Sequence, residues 1–150
     1  MTGRRLVAAV TLAAACGMPV AWAQQDKPAA PPACPGSAQE MPIQRLYGTW
    51  EATIDGQPGI ATMTLARHPD YDGVRGTLQR AGQPPAQLAG DIDPEGLLAL
   101  DESQDGKSIS ASWSGALQPG SCGKEFKGTW YRESDDSKHD FVLRRVGTWN

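Results

Sequence analysis

From Ile43 onward, apolar and polar residues alternate in short runs closed by Gly, Pro, Asp or Asn, and this alternation decides what the chain can fold into. A side-chain period of two belongs to a strand with one buried face, and a Gly- or Pro-rich break belongs to a tight turn. The first run places Leu46, Gly48, Trp50, Ala52 and Ile54 on one face, with Tyr47, Thr49, Glu51, Thr53 and Asp55 on the other. Ala61, Met63 and Leu65 lead the second run, Val74, Gly76 and Leu78 the third, and Ala86, Leu88, Gly90 and Ile92 the fourth. Residues 97–102 form a fifth, less regular because Leu97, Leu98 and Leu100 do not alternate strictly. The sixth turns Ile109, Ala111, Trp113 and Gly115 inward and Ser108, Ser110, Ser112 and Ser114 outward. Phe126, Gly128 and Trp130 mark the seventh, and Phe141, Leu143 and Arg145 the eighth.

No helical period persists anywhere in this stretch, and the connections are too short for crossover helices. The expected fold is all-β: an eight-stranded antiparallel up-and-down barrel over residues 43–150, because closing a meander removes both free edges. A two-sheet sandwich is the rival arrangement, although its Greek-key crossings need a longer connection.

The preceding residues read differently. Arg4 and Arg5 stand before an Ala-rich apolar run, and Ala21-Trp22-Ala23 offers a small-x-small cleavage site, so residues 1–23 read as a signal peptide. The run is too short to span a bilayer. Lipidation at Cys16 is the alternative, weakened by Ala13 where a bulky aliphatic is usual. Residues 24–42 hold Pro28, Pro31, Pro32, Pro35 and Pro42, a density that reads as a flexible leader. The implied destination is periplasmic or secreted. There Cys34 and Cys122, the two cysteines left after cleavage, most simply form one disulfide; free thiols or an intermolecular bridge are the alternatives.

The triplet Gly-Thr-Trp occurs at residues 48–50, 128–130 and 147–149, in a chain with five tryptophans. In a tapering barrel, large and small inward residues must alternate. The first two triplets therefore read as core packing, with each Gly allowing a neighbouring ring to lie across its backbone. The third follows the last strand and carries no such meaning.

With Gly48-x-Trp50 opening the first strand and Arg144 or Arg145 closing the last, the chain resembles the calycin superfamily of lipocalins, fatty-acid-binding proteins and avidins. The resemblance implies an early Trp packed under a late Arg at a closed barrel end, which by phase is Trp50 under Arg145. The segments 110–115 and 128–130 are most similar to avidin. The polar residues with which avidins hold biotin are replaced here by Ala52, Leu78 and Ala111, so biotin is not an expected ligand.

Charge and chemistry narrow the function. Cleavage removes two of the 14 basic residues and none of the 17 acids, leaving a net charge of −5. That balance argues against nucleic acid or an anionic membrane as partner. His68 and His139 fall in expected turns, and no nucleophile stands in a recognisable setting, so no catalytic residue is assigned and an enzyme is not expected. Asp70 and Asp72 in one turn and Asp91, Asp93 and Glu95 in another fall at one barrel end, but acids in turns usually cap backbone groups. Neither a metal nor a cofactor is assigned. Two functions remain. One is a mouth lined by Trp50, Trp113, Trp130, Met63 and Leu78 that accepts a small apolar or aromatic molecule. The other is a filled barrel that meets a protein partner through its surface.

Overall fold

A computed structural model describes residues 34–147; the signal-peptide segment 1–23, the leader up to residue 33 and the Thr148-Trp149 part of the third triplet lie outside them. Eight strands follow one another: β1 (Gly48–Ile54), β2 (Ala61–Arg67), β3 (Val74–Gln79), β4 (Ala86–Ile92), β5 (Leu97–Ser103), β6 (Ala111–Leu117), β7 (Glu125–Arg132) and β8 (Ser137–Arg145). Each pairs antiparallel with its neighbours in sequence, and β8 pairs with β1, so the expected up-and-down barrel is the fold observed. The alternating pattern sets the register. Trp50 stands opposite Met63 on β2 and opposite Arg145 on β8, so the inward phase of all three strands coincides.

The interior is packed. Trp50, Trp113, Phe126, Phe141, Met63 and Leu78 are buried, with Trp50 edge-on to Phe126 at 5.8 Å and Trp113 edge-on to Phe141 at 5.0 Å. Such aromatic pairs add to the area they bury. The glycines divide two tasks. A Cβ on Gly115 would strike the tip of the Phe141 ring, as expected of a small residue under an aromatic. Gly128 differs: its Cβ would run into the Ser114 carbonyl and the Gly115 backbone, so it permits the approach of two backbones rather than the seating of a ring.

One barrel end is closed by residues that the sequence assigns to the leader. Ala38–Glu40 and Ile43–Leu46 form two short 3₁₀ turns, and Ala38, Met41 and Leu46 enter the core. The packed unit thus reaches upstream of the expected boundary at Ile43, and Leu46 belongs to a turn instead of β1. Proline density excludes ladder pairing but not 3₁₀ turns of three or four residues, one of them beginning just after Pro42. A disulfide joins Cys34 to Cys122 in the β6–β7 connection at the same end, with the Cα atoms 4.4 Å apart.

The early Trp and late Arg meet at this end as the calycin resemblance implies. The Arg145 guanidinium lies 5.6 Å from the Trp50 ring and donates from Nη1 to the carbonyls of Arg45 (3.1 Å) and Tyr47 (2.6 Å). Trp50 Nε1 donates to Leu46 O at 2.8 Å. Gly48, at φ +119°, leaves room for the arginine, since a Cβ there would come within 2.8 Å of Nη2. Arg145→Ala is expected to cost about 2–4 kcal/mol through lost packing and unpaired carbonyls. Arg144→Ala, which removes an exposed pair with Glu125, should cost under about 1 kcal/mol. Denaturant unfolding of the two variants checks the contrast, and equal losses would refute it.

Candidate functional site

The end opposite the Trp50–Arg145 closure is formed by residues 55–60, 80–85, 104–110 and 133–136, and it opens into a cleft of about 530 Å³. Its walls include Arg80, Glu102, Ile109, Ala111, Trp130 and Arg132, with the amides of Gln57, Gln83 and Gln104 around them.

Glu102 is the centre of this end and the one charged residue among the buried polar residues described, 1% exposed. It follows Leu98 and Leu100 on the inward phase of β5. Five donors converge on its carboxylate. Oε1 accepts from Arg80 Nη1 (2.6 Å) and Gln104 Nε2 (3.2 Å); Oε2 accepts from Arg80 Nη2 (3.0 Å) and from the indole N–H groups of Trp113 and Trp130 (3.1 Å each). Burial pushes the Glu102 pKa upward, but the Arg80 bonds and charge and the two indole bonds outweigh it and hold the carboxyl below its ordinary value. Arg80 continues the Val74–Gly76–Leu78 phase just past β3, with its side chain 12% exposed, and its guanidinium covers the Trp130 ring at 5.2 Å. Arg132 lies 5.7 Å from the same ring and is bonded to Asp135.

The loops that frame the cleft are held by their own polar residues. Asp105 accepts the N–H groups of Ser108 and Lys107, each at 2.8 Å, and these bonds pull its pKa down to about 2. The β5–β6 connection is longer than the two-residue hairpin that Asp105-Gly106 suggests, because the ladder stops at the Glu102–Ala111 pair. Ile109 therefore projects from a loop, 50% exposed, where its phase predicts an inward residue.

The five residues expected to line the mouth do not gather there. Trp130 lies in the cleft wall. Trp113 is buried beside it, at 6.2 Å between ring centroids, and reaches the site through its N–H on Glu102. Met63 and Leu78 are paired core residues on β2 and β3, and Trp50 sits at the far end under Arg145. The mouth is consequently not an apolar, Trp-lined funnel. Its floor is an ion pair capped by two indoles.

His139 lies within β8 and not in a turn; its Nδ1 is 2.9 Å from Asp55 O and its Nε2 3.0 Å from Ser137 Oγ. His68 stacks on Tyr71 at 3.8 Å, at the other end. The acid-bearing turns also fall there. Asp93 caps the Leu97 N–H at 2.8 Å, and no three His, Cys, Asp or Glu side chains among the described residues are grouped as a metal set would be. Among the described residues no helix is long and apolar enough to cross a membrane. Neither a family model nor a curated protein matches the chain.

Proposed function

We propose that this is an exported binding protein that takes up a compact, partly apolar or aromatic molecule at the open barrel end. The carrying observation is the cleft itself. A volume of about 530 Å³ lies in the range of small-ligand sites, and it combines the apolar surface of Ile109 with a floor held rigid by Glu102. The disulfide supports an oxidising compartment, in keeping with export. Among the described residues the histidines are engaged with backbone, hydroxyl or ring partners, and the cleft lining that holds Ser110 and Ser134 includes no histidine to activate them, which supports binding without chemistry.

Burial in a preformed cleft is worth roughly 25 cal/mol per Å² of apolar area, from which the cost of immobilising the ligand is subtracted. Titration of aromatic probes should change the tryptophan emission, and Trp130→Phe should lose that change. No response with any probe would remove this reading.

A second reading rests on two side chains. Ile60 and Ile109, 57% and 50% exposed, stand on separate loops at the open end, and exposed apolar lips of this kind suit a protein partner seated across the mouth. Ile60 lies outside the cleft lining, so Ile60→Asp would abolish such an association while sparing the uptake of probes.

A further inference from the structure

The geometry points to a neutral carbonyl oxygen, carried by an amide or ketone on an apolar body, as the group that the mouth recognises, with the outer N–H edge of Arg80 as the principal donor. This rests on the small-ligand reading and specifies its chemistry.

Arg80 has five N–H groups in a planar fork. Two are engaged by Glu102, and no acceptor among the described residues takes the other three. The fork cannot turn away to satisfy them, because Glu102 holds it bidentately and the Trp130 face supports it. Glu102 is itself occupied by five donors and has little capacity left to bind a ligand. The Arg132 guanidinium, partly engaged by Asp135, adds donors to the wall, while Gln57, Gln83 and Gln104 bring donors and acceptors alike. A fixed set with surplus donors selects an acceptor.

Charge then decides which acceptor. Within the lining, Arg80 and Arg132 are balanced by Glu102 and Glu133. The four loops around it carry Asp55, Asp105, Glu133, Asp135 and Asp136 against Arg80 and Lys107. A carboxylate would enter a balanced site through an acidic rim and gain no net attraction, whereas a neutral carbonyl meets the same donors without that opposition. Ile109 provides the surface for the apolar body.

Three probes with one ring system separate the possibilities: indole-3-acetamide, indole-3-acetate and 3-methylindole. Each is titrated into uniformly ¹⁵N-labelled wild-type protein, following the indole N–H signals of Trp113 and Trp130 and the Arg80 Nε–H signal. The expected result is that the acetamide binds about tenfold or more tightly than either analogue and moves the Arg80 and Trp130 signals. Arg80→Lys retains a cation for Glu102 but loses the fork, and should erase the preference; an unmoved indole signal of Trp50, which donates to Leu46 O at the far end, confirms its fold. Acetate binding as tightly as the acetamide overturns the neutral-acceptor assignment. Equal binding of 3-methylindole shows that no carbonyl is read, although the cleft still binds. No shift with any of the three at millimolar concentration overturns both this inference and the binding reading beneath it.

Discussion

Glu102→Ala is expected to destabilise the fold by about 3–5 kcal/mol, the range for removing one partner of a buried ion pair. The loss comes less from the attraction itself than from what remains. Arg80 would be left largely buried without its counter-ion, and the mostly buried indole N–H groups of Trp113 and Trp130 would lose their acceptor. Glu102→Gln should be milder, since an amide oxygen still accepts some of these donors. Replacing both partners, as in Glu102→Leu with Arg80→Met, should recover the part of the loss that comes from the unpaired charge, but not the part that comes from the two indole N–H groups, which still lack an acceptor. Denaturant unfolding of the three variants tests the order. A Glu102→Ala protein as stable as wild type would show that the pair carries no structural weight.

The same residue sets an acid limit. The folded pKa of Glu102 lies below its unfolded value, so its contribution to stability is fully present above the ordinary glutamate range. It is lost as the pH falls through that range toward the lower folded value. Stability measured against pH should therefore fall on the acid side more steeply in wild type than in Glu102→Gln.

The fold was legible because one physical pattern recurs eight times. Residues that alternate with a period of two must present one face to a core, and with short connections the faces can close only as a barrel. The same phase places Arg145 opposite Trp50, and the compartment argument pairs Cys34 with Cys122. The centre of the mouth was harder to see. Glu102 sits one inward step beyond Leu100, and Arg80 one step beyond Leu78, but a charged residue beside a turn ordinarily reads as solvated. They belong to β5 and the end of β3, strands separated by β4, so only the curvature of the closed barrel brings them together. Following the inward phase to its last residue would have flagged both. Phase alone misleads at Ile109, where the ladder has already ended, and it is silent over residues 38–45, whose apolar residues are spaced for 3₁₀ turns among prolines and polar residues.

Removing the disulfide through Cys34→Ser with Cys122→Ser is expected to cost about 4–5 kcal/mol in the chain-entropy account, given the 88-residue separation it closes. The structure also says where the loss should appear. The bridge ties the start of the 34–46 segment to the β6–β7 connection, while its other end continues directly into β1. Between these anchors Ala38 and Met41 are buried, and downstream Leu46 supplies the carbonyl that accepts the Trp50 N–H. Without the bridge, the first 3₁₀ turn keeps only the burial of Ala38 and Met41 and the Gln39 bond to Pro94 O against the entropy of ordering the segment. The second is also held by Arg145, so the end nearest Cys34 should loosen first. Amide exchange should accelerate over residues 38–41 and in the β6–β7 connection, while the strands that hold Glu102 keep the protection that the reduced global stability allows. If exchange rises uniformly across the barrel, the bridge acts only on the unfolded chain and the segment needs no tether. If neither stability nor exchange changes, the closure at the Trp50 end is secured by Arg145 and side-chain packing alone.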